Sequence, residues 1–345
     1  MPVNRAAQVL CTAEGIRAYQ FLETVFYEHK GNPVPMLTEE VRRLGGVISQ
    51  VSQLYADGVY VQRVSRQPKE LAAEGVGTWE RDIREQTGRL YSNLFERFDD
   101  RAYFQEAADL LRQRIEKNGL SLDWLKGKKG LDAGCGGGRY TVALTKLGAR
   151  DVTGIDYGKG NIRDARRRAQ NAAITNVHFR HADVLNIPYG DRQFDFVFSN
   201  GVLHHTTDPR RGLQEVFRVL RPGGFAWLFL YGKSLWWDMV ELIRVLVAKT
   251  PHEVAHYLMF HMGYAPSRIF KFLDSLYVPI LQTYTAKEVR EMLESIGFVD
   301  FQQLPRCVKT KYYRGVNEML WSREKYAKTK WGEGELRFLM QKPDF

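Results

Sequence analysis

Cysteine is scarce in this sequence: Cys11, Cys135 and Cys307 stand far apart and form no C-x-x-C pair. A disulfide scaffold and a cysteine-built zinc site are therefore excluded, and a reducing compartment is expected. Long apolar runs are also lacking. The longest apolar stretch, Trp236–Val247, is interrupted by charges and is too short to span a bilayer. The first ten residues show no signal peptide, so we expect a soluble, cytoplasmic protein with no transmembrane segment.

Repeats and low-complexity tracts are absent as well, and 44% hydrophobic with 26% charged residues is ordinary for a globular protein. A length of 345 residues suggests one large domain plus an accessory segment. The net charge of +10 is unevenly distributed along the chain, because residues 1–120 carry a net charge of −1 and the remainder carries +11. This excess favours an anionic substrate, a nucleic acid or an anionic membrane surface.

The first 120 residues are predicted to be a helical N-terminal segment, serving as a cap or in dimerisation. Apolar residues recur at helical spacing in three stretches, Ala13–His29, Thr38–Tyr55 and Asp82–Asn118. Gly45 and Gly46 could turn the second stretch into a helix-turn-helix for homodimer packing. The region Gly75–Gly77 resembles a hinge.

After residue 120, short apolar segments alternate with helical stretches. Seven strands are predicted, at Gly130–Ala133, Asp151–Asp156, Val177–Asp183, Phe194–Asn200, Phe225–Tyr231, Val299–Arg306 and Glu335–Gln341. Helices are predicted at Tyr140–Leu147, Asn161–Ala173, Asp208–Leu220 and Thr285–Gly297, the last opened by a capping box. Arg221–Gly224 is predicted to be a turn. This alternation indicates an α/β fold with a doubly wound, mostly parallel seven-stranded sheet.

A glycine-rich loop at the first strand-to-helix turn carries the chemistry. Residues 131–139 read LDAGCGGGR, a D-x-G-x-G-x-G pattern formed by Asp132, Gly134, Gly136 and Gly138. Glycines there allow close backbone approach to a ligand, next to the free N–H groups of a helix N-terminus. A dinucleotide-binding fingerprint would need a further glycine where Arg139 stands.

In these residues the sequence resembles the class I S-adenosylmethionine-dependent methyltransferases, in their UbiE/UbiG-like small-molecule branch. The resemblance covers Trp124–Tyr231, and more loosely the helix and strands after Thr285. Besides the glycine loop, it rests on HADVL, FDFVFSNGVLHHTTD and VLRPGGFAWLFLY in that order. It implies a Rossmann-like methyltransferase domain over residues 121–345, with a helical insertion at 233–281. The implied cofactor is S-adenosylmethionine, with S-adenosylhomocysteine as its product.

The resemblance also implies which side chains hold the cofactor. Asp156, with Tyr157 beside it, is where the family binds the ribose hydroxyls. Asp183, with Val184 beside it, is where an acidic side chain meets the adenine amino group. Asp132 is placed to orient the glycine loop or the methionine ammonium group, and Asn200 lies on the strand that faces the methyl group.

Two histidines are the candidate catalytic residues. His204 and His205 lie beside the expected methyl position, and imidazole has the right ordinary pKa for a general base. The family pattern favours His205, with His204 directed elsewhere. Both could instead be structural loop histidines bonded to the backbone. No metal site is expected, because adjacent histidines seldom converge on one ion.

Two excursions interrupt the alternation. The resemblance implies that Lys233–Leu281, rich in aromatics, is a lid over the acceptor; core packing and an interfacial membrane helix are the alternatives. Residues Cys307–Glu333 mix basic and aromatic side chains and could grip a phosphate, a carboxylate or stacked bases, or form a solvated loop. Some relatives close over the methionine end of the cofactor with an aromatic, for which Tyr91 is a candidate among Tyr91, Phe95 and Phe98.

These features predict an enzyme that methylates O or N of a small, anionic or partly apolar metabolite. The charge excess keeps open an RNA methyltransferase, although Asn200 is followed by Gly-Val-Leu and not by the Pro-Pro-aromatic run of many base-amino methylases. A second alternative is a non-catalytic cofactor-binding subunit.

Overall fold

The computed structural model describes residues 5–54, 79–92, 100–248, 250–307 and 315–344. The chain divides into two compact units. The first comprises Met1–Asp82, Ser234–Pro279 and Lys325–Gly332, and the second comprises Ile83–Lys233, Ile280–Glu324 and Glu333–Phe345. The sequence suggested a boundary after residue 120, whereas residues 83–120 group with the sheet-containing unit.

The second unit is built on one seven-stranded sheet. Its strands are β1 Lys129–Ala133, β2 Asp151–Asp156, β3 Val177–His181, β4 Phe194–Asn200, β5 Leu220–Tyr231, β6 Val299–Gln303 and β7 Glu335–Gln341. Their order across the sheet is β3-β2-β1-β4-β5-β7-β6. The first five strands pair in parallel, and β7 pairs antiparallel with both β5 and β6. The predicted doubly wound, mostly parallel sheet is therefore confirmed.

The described helices, in chain order, are α1 Arg5–Glu23, α2 Val34–Leu54, α3 Trp79–Ser92, α4 Ala107–Lys117, α5 Arg139–Lys146, α6 Lys159–Asn171, α7 Pro209–Val219, α8 Leu235–Val247, α9 His252–His261, α10 Pro266–Tyr277, α11 Ala286–Ile296, α12 Val316–Trp321 and α13 Ala327–Trp331. Two further stretches, Thr24–Glu28 after α1 and Arg101–Glu106 before α4, are π-helical. No described helix has both the length and the apolar character that crossing a membrane requires.

Alternating side chains of the central strands pack into two apolar cores, one on each face of the sheet. Val197 and Leu228 belong to a core that contains Leu131, Leu213 and Val289. Phe198 and Trp227 belong to the other, together with Leu111, Trp124 and Leu144. Strands that are buried on both faces read as continuous apolar runs, which explains the sequence FAWLFLY in β5.

The sheet changes direction at β1, since the chain runs from β1 outward to β3 and then returns to β4 on the other side. Such a reversal opens a crevice at the carboxyl ends of the strands, where open α/β sheets bind their ligands. The candidate site residues follow β1, β2, β3 and β4 and therefore share this edge of the sheet.

The first unit is helical and has an aromatic core. Trp236 of α8 packs against Tyr19, Phe26 and Trp331 with ring centroids 5.2–5.5 Å apart. The ammonium group of Lys330 is buried and donates to the carbonyl oxygens of Phe26 and His29, at 3.2 and 2.6 Å. These bonds satisfy carbonyl groups that the end of the π-helical stretch leaves without partners.

Two local predictions need correction. Helix α2 continues through Gly45 and Gly46, so these glycines make no helix-turn-helix. Trp236 is only 3% exposed, which contradicts the interfacial membrane helix and supports core packing within the first unit. The predicted helix Asp82–Asn118 contains α3 and α4, and its continuity between them stays a prediction because residues 93–99 lie outside the described part.

The strand ends also differ in detail. β3 ends at His181 and β6 at Gln303, earlier than predicted. The predicted turn Arg221–Gly224 lies inside β5, where the ladder to β4 shifts register from Leu220 opposite Phe194 to Phe225 opposite Phe196. Gly223 has φ +70° there, which makes the segment an irregularity within the strand. The region Gly75–Gly77, Phe95 and Phe98 lie outside the described residues.

Candidate active site

The glycine-rich loop joins β1 to α5 with a left-handed backbone. Gly134, Gly136 and Gly138 have φ of +86°, +52° and +86°, a region that residues with a Cβ rarely adopt. A Cβ on Gly134 would lie 2.4 Å from the side chain of Val202. Gly134 N and Cys135 N both donate to Ile155 O at 2.9 Å, which fixes the loop to β2. The three predicted glycines are therefore required by the backbone itself.

Asp156 is the last residue of β2, and its carboxylate accepts hydrogen bonds from both the glycine-rich loop and the segment after β2. Its Oδ2 accepts from Gly136 N at 2.9 Å, and its Oδ1 accepts from Gly158 N at 2.8 Å and from Asn161 Nδ2 at 3.1 Å. A carboxylate has about four acceptor positions, so about one is left. Two ribose hydroxyl bonds would therefore require one internal bond to open. Burial raises the pKa of Asp156, although the bonds from Asn161, Gly158 and Gly136 lower it.

Asp132 lies one strand away and is almost completely buried. Its Oδ2 accepts from Thr141 Oγ1 at 2.7 Å, which ties β1 to α5 across the glycine loop. Burial raises the pKa of Asp132 to about 7; the Thr141 bond opposes this shift and the charge of Asp156 adds to it. The carboxyl group is thus poised between its neutral and ionised forms near neutral pH.

Asp183 lies beyond the end of β3. Its Oδ1 accepts from Leu185 N at 2.9 Å, and its Oδ2 pairs with Arg84 of α3. The neighbouring Val184 is buried in the apolar core, so it contributes packing at this position. Tyr157, after β2, is half-buried, and its ring centroid is 5.4 Å from that of His181 at the end of β3.

Asn200 ends β4, and its Oδ1 accepts from Trp227 Nε1 at 3.2 Å. The next residue, Gly201, has φ +81° and donates its N–H to Phe229 O at 3.2 Å. The chain then turns sharply into the short 3₁₀ helix Leu203–His205. This turn brings both predicted histidines to the carboxyl end of β4.

His205 is held in one tautomer by the backbone. Its Nδ1 lies 2.8 Å from the carbonyl oxygen of Ile280. Because a carbonyl oxygen only accepts, Nδ1 carries the proton and the neutral ring keeps its lone pair on Nε2. His205 is therefore bonded to the backbone, which was one of the two alternatives left open by the sequence, and its role as a general base stays a prediction.

His204 is fully buried, and its ring lies against that of Tyr231 with centroids 3.9 Å apart. Neither ring nitrogen has a hydrogen-bond partner among the described residues. Burial, and next the neighbouring His205, hold the pKa of His204 well below its usual value. These surroundings favour a neutral packing residue, although its ring also contacts that of His205, with centroids 4.1 Å apart.

Two polar residues that the motifs did not reveal complete the site. Gln282 donates its backbone N–H to His204 O at 3.0 Å and its Nε2–H to Thr206 O at 2.7 Å, which clamps the histidine loop from both sides. Arg84 binds Asp183 from α3. Gln282 and Arg84 are each far in sequence from the residues that they bind, so no local sequence signal reveals either of them.

The basic and aromatic stretch Cys307–Glu333 does not form one surface. Residues 308–314 lie outside the described part. Lys330 and Trp331 are buried in the first unit, and Arg306 of the second unit stacks on the exposed ring of Trp321 with its guanidinium carbon 4.7 Å from the ring centroid. Among the described residues, no cluster of three His, Cys, Asp or Glu could hold a metal ion.

Strand order, antiparallel β7, the glycine loop and the acidic residues at successive strand ends define the Rossmann-like class I methyltransferase fold. The family described as a methyltransferase domain matches residues 131–228. Residues 131–228 thus match a methyltransferase domain, and the resemblance noted in the sequence is confirmed over these residues.

Similar proteins carry the same domain. The O-methyltransferase cnsE of Penicillium expansum is 35% identical over 121 residues, which are 34% of this chain and 44% of that protein. The demethylmenaquinone methyltransferase of Staphylococcus aureus is 32% identical over 145 residues, 41% of this chain and 58% of that protein. The chain therefore spans about half the length of the curated relatives it matches.

Among solved structures, the 1,6-didemethyltoxoflavin-N1-methyltransferase of Burkholderia thailandensis, with bound 1,6-didemethyltoxoflavin and S-adenosylhomocysteine, is similar at 20% identity. The match covers 81% of this chain and 92% of that chain, with a TM-score of 0.45.

Proposed function

We propose that this protein uses S-adenosylmethionine to methylate O or N of a small, anionic or partly apolar metabolite. The observation that carries the proposal is the series along one edge of the sheet. Carboxylates lie at or just beyond the carboxyl ends of β1, β2 and β3, and a histidine with its Nδ1 bonded to the backbone follows β4. Such a series suits a ligand that carries positive charge, two sugar hydroxyls and an adenine amino group.

The donor set fits this cofactor. Burial raises the pKa values of Asp132 and Asp156, and the charge of Asp156 raises the pKa of Asp132 further. A cationic ligand would relieve that repulsion and favour both ionised forms. When bound, S-adenosylmethionine supplies this positive charge together with a methyl group on a sulfonium sulfur. A phosphate-bearing cofactor would instead meet like charge at this edge.

Each carboxylate has a proposed partner. The free acceptor position of Asp156 takes a ribose hydroxyl, and the carboxylate of Asp183 takes the adenine amino group. Asp132 orients the glycine loop through Thr141 and favours the methionine ammonium group once it is ionised. Gly134, Gly136 and Gly138 let the backbone approach the cofactor, while Asn200, Tyr157 and Val184 shape the neighbouring walls.

His205 is the proposed general base. Its Nδ1–H bond to Ile280 O orients the ring and, in the neutral form, places the lone pair on Nε2. Nε2 would take the proton that the acceptor hydroxyl or amine loses as it gains the methyl group and the carbon–sulfur bond of the sulfonium breaks. Alignment of the acceptor with the methyl group supplies most of the acceleration, and a base adds about 10²–10⁴-fold. His204 stays neutral and packs behind this loop.

The acceptor is proposed to be a small molecule with an anionic or partly apolar surface. The similar proteins include one named an O-methyltransferase and one named for demethylmenaquinone. The charge excess of +11 after residue 120 favours a negatively charged group on the acceptor. A lid formed by residues 233–281 and a homodimer through residues 1–120 remain proposals.

The experiment measures transfer of a radiolabelled methyl group. Purified protein is mixed with labelled S-adenosylmethionine and with small-molecule, lipid, RNA and protein pools from a dialysed extract, each added singly. Label in the small-molecule or lipid pool is expected. Label in a nuclease-sensitive pool would establish the RNA alternative instead, and cofactor binding with no transfer to any pool would support a non-catalytic subunit.

The His205→Ala variant then tests the proposed base. We expect turnover to fall by about 10²–10⁴-fold while cofactor affinity stays near that of the unchanged protein. The matched control is His178→Ala, which removes an exposed histidine from β3 and should leave turnover unchanged. Normal turnover of His205→Ala with an acceptor that loses a proton would remove His205 from this role.

A further inference from the structure

Helix α3 contacts the ends of three strands on the candidate site's edge. At its start within the second unit, the guanidinium group of Arg84 pairs with the carboxylate of Asp183, after β3. The two side chains are 30% and 18% exposed, so the pair is largely withdrawn from solvent.

One turn further along, Gly88 brings the helix backbone against the loop after β2. A Cβ on Gly88 would lie 3.4 Å from Gly158 Cα and 3.5 Å from the carbonyl oxygen of Tyr157. These are ordinary van der Waals distances, so the backbone of α3 at Gly88 packs closely on the loop after β2. Near the end of the helix, the ring of Tyr91 lies 6.1 Å from that of His205, centroid to centroid.

These contacts follow the strand order of the sheet. Arg84, Gly88 and Tyr91 are spaced i, i+4 and i+7, so they share one face of α3. That face meets the ends of β3, β2 and then β4, and it must cross the end of β1, which lies between β2 and β4. Residues 83–91 thus extend along the same edge as Asp183, Asp156, Asp132 and His205.

We propose that residues 83–91 of α3 form the roof of the cofactor-binding site and that Arg84 is its positioning residue. This inference rests on the proposed function. Arg84 holds Asp183 in place through Oδ2, and Leu185 N holds Oδ1. About two acceptor positions of the carboxylate are left for an adenine amino group. The cofactor enters and leaves only when the bond between Arg84 and Asp183 opens.

This arrangement predicts a kinetic signature. An ion pair that must break both for cofactor entry and for cofactor exit slows association and dissociation together. It leaves the affinity for the cofactor nearly constant. A residue that merely binds the cofactor slows dissociation alone. The two roles are therefore distinguished by measuring both rate constants.

The experiment measures S-adenosylhomocysteine binding by stopped-flow fluorescence. We expect Arg84→Met to raise the association and dissociation rate constants together, by about fivefold for a partly buried ion pair. Arg84→Lys, which keeps the charge, should restore much of the slow exchange. Arg89→Met is the matched control, since Arg89 lies on the same helix with its side chain 73% exposed.

Two results would overturn the proposal that residues 83–91 cover the cofactor-binding site. One is unchanged rate constants in Arg84→Met, and the other is a rise in the dissociation rate constant alone. Calorimetry of the unchanged protein separates these failures from failure of the proposed function, because absence of any S-adenosylhomocysteine binding would refute the cofactor site itself.

Discussion

At the scale of single residues, Asp132 links the site to pH. Its pKa of about 7 in the folded protein lies far above the value near 4 of an unfolded chain. Between these values the folded protein holds a proton that the unfolded chain has lost. Asp132 therefore makes the protein without cofactor less stable as pH rises through this window, and it favours a bound cation once ionised.

We therefore predict that S-adenosylmethionine binding displaces a proton below about pH 7. The dissociation constant should fall by at most about tenfold per pH unit as pH rises toward 7, and should level off above it. Calorimetry in two buffers of different protonation enthalpy measures the released proton directly.

The control for this prediction is Asp132→Asn, which keeps an oxygen to accept the Thr141 bond but cannot ionise. It should bind the cofactor with little dependence on pH in the same range. A pH dependence as steep as that of the unchanged protein would show that another group releases the proton.

A sequence motif reveals some of the site residues and misses others, and these two groups differ in how the fold places them. Asp132, Gly134 and Asp156 lie at or directly after the carboxyl ends of their strands, so a local strand-loop-helix pattern is enough to find them. Arg84 meets Asp183 across 99 residues of sequence, and Gln282 meets Thr206 across 76. Pairings of this kind depend on how whole elements pack, and a single sequence carries no local signal for them.

At the scale of elements, the segment 280–284 acts as a brace for the histidine loop. Tyr284 N donates to Tyr231 O at 2.9 Å, and Lys233 N donates to Tyr284 O at 2.8 Å, so the segment is bound to the end of β5. From there Ile280 O receives His205 Nδ1, and Gln282 binds the residues on both sides of His205. The brace therefore determines the tautomer and the position of the proposed base.

Gln282→Met should loosen this brace without removing His205. We expect kcat to fall by about tenfold, the loss of roughly one buried hydrogen bond, with cofactor affinity unchanged. Nitrogen chemical shifts of His205 should show a growing fraction protonated on Nε2. The exposed Gln302→Met is the matched control, and an unchanged kcat in Gln282→Met would limit Gln282 to a structural role.

Element prediction succeeded where apolar period and strand length agree, as in all seven strands. It failed at Gly45 and Gly46, since a helix can tolerate glycine at a cost of about 1 kcal/mol each when packing compensates.

At the scale of the whole molecule, the division into units depends on contacts that join distant parts of the chain. The first unit gathers the N-terminal helices, residues 234–279 and residues 325–332. Lys330, for example, binds the carbonyl oxygen of Phe26 across 304 residues. Composition and periodicity do not reveal such pairings. The boundary predicted from the sequence, after residue 120, therefore does not take them into account.

The central claim is that the carboxyl edge of β1, β2 and β3 binds S-adenosylmethionine. A crystal structure with S-adenosylhomocysteine tests it most directly. We expect density for the ribose beside Asp156, for the adenine beside Asp183 and for the sulfur facing His205, beneath residues 83–91. Density at another edge of the sheet, or a ribose that does not contact Asp156, would contradict this assignment of the cofactor site.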